Sequence, residues 1–174
     1  MANYVEDKRL ADDPKTLEEI KAGLASIGAS VARTGTPAED RSGIDLFVDT
    51  RKLDGVRIDV KVRGRDYGQG DLALESWSIF PVNGRTGRPG WTVDPEHQTD
   101  AVLWFFTDTK RFVLIAYRSL RSVATVHLDE WRERFGERFN KNETLGGYES
   151  AWIPVPISEL EQYMKVKQWT LSDN

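Results

Sequence analysis

The segment Ile58-Asp59-Val60-Lys61-Val62 sets an acid and a lysine two residues apart inside an apolar run. Side chains two apart in an extended chain share a face, so Asp59 and Lys61 project together while Ile58, Val60 and Val62 face the other way. Charge on a core sheet is costly unless it is paired or bound to a cation. Asp45 opens the preceding apolar segment, just after Gly43-Ile44. Glu75 lies inside the following one, Leu72-Ala73-Leu74-Glu75-Ser76-Trp77. Carboxylates converging from separate elements can bind Mg²⁺. Such an ion polarises a phosphate and lowers the pKa of a bound water. A neighbouring lysine orients that water or stabilises developing negative charge. The expected chemistry is therefore metal-dependent phosphodiester hydrolysis. Asp45, Asp59 and Glu75 would be the metal ligands, with Lys61 beside them.

Each element alone has an ordinary reading. D-x-K is a short pattern that often marks an exposed ion pair. Asp45 alone is a turn aspartate, and Glu75 alone is an edge-strand acid facing water. The expectation rests on three acids and a lysine falling on three consecutive strands.

The surrounding pattern supplies elements to position them. Asp13-Pro14 forms an N-cap and first turn, Leu17, Ile20, Leu24 and Ile27 recur at helical spacing, and Gly28 ends the helix. A short strand is expected at Ala29 to Arg33, then a loop over residues 34–43. Ile44, Leu46 and Val48 share one strand face, and Arg51 to Gly55 makes a hairpin-like turn into the D-x-K strand. Leu72 to Ile79, Ala101 to Phe106 and Phe112 to Tyr117 complete about five strands. Leu128 to Phe139 reads as an amphipathic helix, and Ser158 with Glu161 as the capping box of a last one. The early turns are of hairpin length, which predicts a mixed α/β sheet and not a doubly wound one. No G-x-G-x-x-G or Walker motif is present. The chain is expected to form a single domain over 1–174, with a core at about 14–120 and a C-terminal helical extension at about 121–174.

Composition narrows the class. With 39% hydrophobic and 30% charged residues, the chain reads as globular and soluble. No apolar run approaches the length of a membrane helix, and the polar N-terminus has no signal-peptide core. Cysteine is absent, which excludes disulfides and thiolate metal sites and agrees with a cytoplasmic protein. Two histidines without cysteine are too few for structural zinc or a histidine-metal nuclease, and His97 is expected at the surface. The net charge of −4 excludes coating nucleic acid by charge alone. Basic residues nevertheless gather locally, and Arg63, Arg65, Arg85 and Arg88 are candidates to hold a phosphate backbone. Tyr67 and Trp91 either stack on bases or anchor their loops. Trp77, Trp104 and Trp131 fall in core patterns.

At these residues the chain resembles the PD-(D/E)XK nuclease superfamily. Gly43-Ile44-Asp45 matches its first strand element, Asp59-Val60-Lys61 its (D/E)-x-K, and Pro14 to Ile27 its leading helix. A closer resemblance is to uncharacterised phage and bacterial members, over roughly residues 14–120. It is carried by Glu39-Asp40-Arg41-Ser42-Gly43-Ile44-Asp45, Glu75, Gly90-Trp91 and Thr99-Asp100. The resemblance implies a restriction-endonuclease-like fold, of the kind also found in Holliday-junction resolvases. It implies a Mg²⁺-dependent DNA endonuclease, with Mn²⁺ as a substitute, in phage or mobile-element DNA processing. It also implies a glutamate from the leading helix, Glu18 or Glu19, although both lie off the apolar stripe. Asp59 stands where many members have glutamate, and its shorter side chain would require the metal to sit closer to the strand. Junction resolution or double-strand cutting would call for a homodimer. The alternative is a catalytically silent nuclease-fold protein that binds DNA or a host protein.

Overall fold

The computed structural model describes residues 9–66, 70–81, 86–142 and 148–171. Tyr67 and Arg85 lie outside the described residues.

Helix α1 (Pro14–Ser26) begins as its sequence requires. The Asp13 side chain accepts the Lys15 amide at 2.9 Å, Pro14 occupies the first turn, and Ile27 is the C-cap. β1 (Ala29–Thr34) follows, then a short helix α2 (Pro37–Asp40), β2 (Leu46–Thr50) and β3 (Val56–Arg63). β4 (Asp71–Ile79), β5 (Arg88–Pro89), β6 (Ala101–Phe106) and β7 (Arg111–Ala116) lead into α3 (Tyr117–Phe135). β8 (Arg138–Asn142), β9 (Tyr148–Pro156), α4 (Ile157–Leu160) and β10 (Val166–Thr170) complete the described chain. Among the described residues no helix is long and apolar enough to cross a membrane.

The strands form two sheets, and the chain divides into two compact units. The first unit takes residues up to 68, 98–117 and 166 onward. Its six strands run in the order β1-β2-β3-β6-β7-β10. β1, β2 and β3 are an antiparallel meander, β6 returns parallel to β3, and β7 and β10 add antiparallel. The sheet is thus mixed, as the hairpin-length turns predict. Ile20 and Leu24 of α1 pack with Leu46, Val48, Ile58, Val62, Leu103, Phe105 and Phe112 on one face. Phe105 and Phe112 stack at 4.6 Å, Trp169 stacks on Phe112 at 5.0 Å, and the Trp169 indole N–H donates to Gly23 O of α1 at 3.0 Å. Pairs of this kind add about 1 kcal/mol each beyond the area they bury.

The second unit takes residues 69–97 and 118–165, and its sheet runs β5-β4-β9-β8, all antiparallel. Leu72, Leu74, Ile153 and Val155 of that sheet and Leu120, Ala124, Trp131 and Leu160 of the helices are buried.

Several expectations change. The strands number ten among the described residues instead of about five. The expected C-terminal helical extension contains β8, β9 and β10 as well as helix. α3 starts eleven residues before Leu128, ends at Phe135, and leaves Phe139 to β8. The helix expected at Ser158 is α4, which begins one residue earlier with Pro156 as N-cap and no side-chain cap bond. The expected loop over 34–43 contains α2. Trp104 and Trp131 are fully buried, while Trp77 is only half-buried.

Candidate active site

β3 is an interior strand, flanked by β2 and β6. Its D-x-K face is not its wet face. Asp59 pairs across to Val102 and Lys61 to Trp104, and both partners are fully buried. The Asp59 side chain is 2% exposed and that of Lys61 23%, with the ammonium 2.7 Å from Asp59 Oδ1. An ion pair this deep is unlike the exposed pair that D-x-K ordinarily marks. An unpaired carboxylate in that position would cost several kcal/mol.

Asp45 stands one residue before β2. The ladder pairs Leu46 with Ile58, so continuing it one step sets Asp45 beside Asp59. The Asp45 amide donates to Ile58 O at 2.9 Å, but its carbonyl turns away and accepts the Gly35 amide at 2.6 Å. The Asp45 carboxylate itself takes the Val60 amide, at 2.6 Å from Oδ2. This diversion needs glycine at 35, because a Cβ there would lie 2.1 Å from Ile44 O. Burial pushes the Asp45 carboxyl up to about 7 from its ordinary 3.8, and the Asp59 charge adds to the rise. The Val60 amide and Lys61 pull it down, and a hydrogen bond with the Asp40 carboxyl raises it again. Two acids held together against their own repulsion make a place where a cation is favoured.

Asp40 is brought to the site by the fold, and sequence pattern alone does not mark it as a chemical group. It ends α2, a helix fixed by a full capping box between Thr36 and Glu39. Thr36-Pro37-Ala38-Glu39 is a legible signal for that box, with proline in the first turn.

The other candidates make contacts of their own. β4 follows β3 in sequence but does not pair with it: its neighbours are β5 and β9 in the sheet of the second unit. Glu75 therefore sits in the four-stranded sheet and not on a strand beside β3, because two sheets exist where one was expected. Its carboxylate accepts the Ser78 hydroxyl at 2.8 Å and the Trp91 amide at 3.1 Å, beside a β-bulge between Glu75 and Trp77. Glu18 pairs with Lys21 at 2.7 Å, and Glu19 with Lys110 at 2.7 Å. Arg63 shares the face of Asp59 and Lys61 and donates to Val62 O at 3.2 Å, and Arg65 is exposed just beyond it. Arg88 is exposed in the second unit, 3.9 Å from Asp94. Trp91 and His97 pack ring to ring at 5.9 Å, so His97 is half-buried and Trp91 anchors its loop.

Asp45, half-buried, and Asp59, buried, offer hard oxygen donors, which suit Mg²⁺ or Mn²⁺. Among the described residues no three or more His, Asp or Glu side chains group to hold a metal ion. Magnesium is commonly held by one or two carboxylates, with water and substrate phosphate filling the other positions. The pair of acids fits that pattern. In comparisons with known proteins, no family model, no curated protein and no solved structure matches the chain.

Proposed function

We propose that the chain is a Mg²⁺-dependent deoxyribonuclease of the PD-(D/E)XK type, with Asp45, Asp59 and Lys61 as its centre. The observation that carries the reading is the meeting of Asp45 and Asp59 beside Lys61 on a buried sheet face. The restriction-endonuclease-like fold is part of the same proposal. It is supported by a leading helix, a three-stranded meander with the acid before its second strand and D-x-K on its third, and a parallel return strand. A bound Mg²⁺ would supply an activated water and charge neutralisation at the phosphate. Asp45 and Asp59 would hold it, and Lys61 beside them would face the developing negative charge. Arg63 and Arg65, on and just after the same strand, would meet the flanking phosphates. DNA from phage or mobile elements is the substrate class the resemblance implies, and a homodimer would place two such sites on two strands.

The test is incubation with supercoiled, linear, branched and single-stranded DNA plus Mg²⁺ or Mn²⁺. Cleavage by the native chain that is lost in Asp59→Ala and Lys61→Ala is expected. Cleavage that persists in both variants sinks the site. One observation favours a silent nuclease-fold DNA-binding protein instead: Lys61 already neutralises Asp59. Calorimetric titration with Mn²⁺ separates the two, since DNA binding without metal binding belongs to the silent protein alone.

A further inference from the structure

Arg33 reaches the acidic site without touching it. Its guanidinium forks onto Glu39, Nη1 to Oε2 at 2.9 Å and Nη2 to Oε1 at 2.7 Å. The same group lies 3.6 Å over the ring of Phe47 and donates to Thr34 O at 3.1 Å. Phe47 is two residues after Asp45, and Arg33 pairs with it directly across β1 and β2. Glu39 works at both ends. Its carboxylate also accepts the Thr36 amide at 2.8 Å, and hydrogen bonds from Arg33 and Thr36 hold it down at about 2, ionised at any ordinary pH. Its carbonyl accepts the amides of Ser42 at 2.9 Å and Ile44 at 3.0 Å, the residues that lead into Asp45. Asp40, next to Glu39, receives the Gly43 amide on its carbonyl at 2.8 Å and turns its carboxyl to Asp45.

We propose that Arg33 is a positioning residue of the site, tying α2 to β1 and β2 so that the turn over residues 39–45 sets the Asp45 carboxylate on the Val60 amide. The inference deepens the metal-site reading and rests on it for its consequence in catalysis. The geometry it asserts is measurable without catalysis. Arg33 is exposed and Glu39 half-buried, in contact with solvent, where such pairs contribute little to stability. An Arg33 that made only an ordinary surface pair would therefore leave both the fold and the site unchanged when removed.

The experiment compares the native chain with Arg33→Ala, Arg33→Lys and Glu39→Gln by thermal unfolding, amide NMR and Mn²⁺ titration. The Val60 amide proton is the reporter, because its partner is the Asp45 carboxylate at 2.6 Å. In Arg33→Ala that resonance is expected to move upfield, the unfolding temperature to stay nearly constant, and Mn²⁺ affinity to fall about tenfold, as for other groups that orient a metal ligand. Lysine keeps the charge but cannot fork, so Arg33→Lys is expected to recover only part of the loss. The Arg33→Ala, Glu39→Gln double variant is expected to lose no more than either single one. A Val60 resonance unchanged in Arg33→Ala overturns the inference whether or not the chain binds metal. A native chain that neither binds Mn²⁺ nor cuts DNA overturns the nuclease reading, and the Val60 shift still decides the role of Arg33.

Discussion

Asp45 in the first unit and Glu75 in the second are built alike. Each carboxylate accepts a backbone amide, Val60 at 2.6 Å for Asp45 and Trp91 at 3.1 Å for Glu75. Each depends on a glycine pressed against backbone: a Cβ would come 2.1 Å from Ile44 O at Gly35 and 2.1 Å from Glu75 O at Gly90. The company they keep differs. Asp45 stands beside a second carboxylate that raises its pKa, whereas Glu75 receives a serine hydroxyl and a loop amide. An acid on an apolar strand becomes a chemical group when a like charge is forced next to it, and an anchor when donors surround it.

The largest effect should come from Lys61. Lys61→Ala removes the partner of a carboxylate whose side chain is 2% exposed. Cleavage is expected to fall by about two orders of magnitude or more, and stability by about 3 kcal/mol. Adding Asp59→Asn to Lys61→Ala is expected to restore much of the stability and none of the cleavage. Thermal unfolding and a plasmid assay read the two quantities separately. A double variant no more stable than Lys61→Ala would mean that the pair does not hold the buried charge.

Next in size are the glycines. Gly35→Ala and Gly90→Ala each drive a methyl into backbone, so each is expected to lose about 2 kcal/mol by denaturant unfolding. Only Gly35→Ala should also abolish Mn²⁺ binding, because only there does the displaced backbone carry one of the paired acids. Equal loss of metal binding in both variants would erase the contrast between Asp45 and Glu75.

The contrast was only half legible in the sequence. Period-two alternation showed that Asp59 and Lys61 share a face and that Asp45 lies on the strand before. It could not show which sheet β4 joins, because Leu72 and Leu74 read the same in either sheet. Pairing of β3 with β6 is equally non-local, since 37 residues separate Arg63 from Ala101. β9 was obscured by Pro154 and Pro156, which argue against a strand. Pro154 is tolerated because β8 pairs only as far as Trp152, leaving the missing donor on an open side. The bounds of α3 were misplaced for two reasons. β7 runs into it without a break, and Gly136, with φ 78° and its amide on Arg132 O at 3.1 Å, stops the helix although the apolar pattern continues to Phe139.

A third effect is graded by pH. The folded-state pKa of Asp45 is about 7 against an ordinary 3.8, so the folded chain binds more protons there than the unfolded one between those limits. Its contribution is fully present below pH about 4 and is lost as pH rises through about 7. Stability measured by thermal unfolding is expected to decline over that window, and Asp45→Asn to flatten the decline. Mg²⁺ should reverse it, since a cation binds the ionised carboxylate and stabilises the fold by mass action. A wild-type curve that Asp45→Asn leaves unchanged would show that burial and Asp59 do not hold the proton.

The smallest effect decides most sharply between the two acids. Glu75→Gln keeps a carbonyl oxygen able to accept the Ser78 hydroxyl and the Trp91 amide, so the loop that Glu75 anchors should persist. Stability is expected to change by less than about 1 kcal/mol, and cleavage and Mn²⁺ affinity to stay within about twofold. Glu75→Ala leaves the Trp91 amide without its acceptor and should cost about 1–2 kcal/mol while cleavage continues. If Glu75→Gln instead abolished cleavage with its fold intact, the charge itself would be required. Glu75 would then belong with Asp45 and Asp59 in holding the metal, and its serine and tryptophan contacts would be the resting arrangement of a ligand, not the function of an anchor.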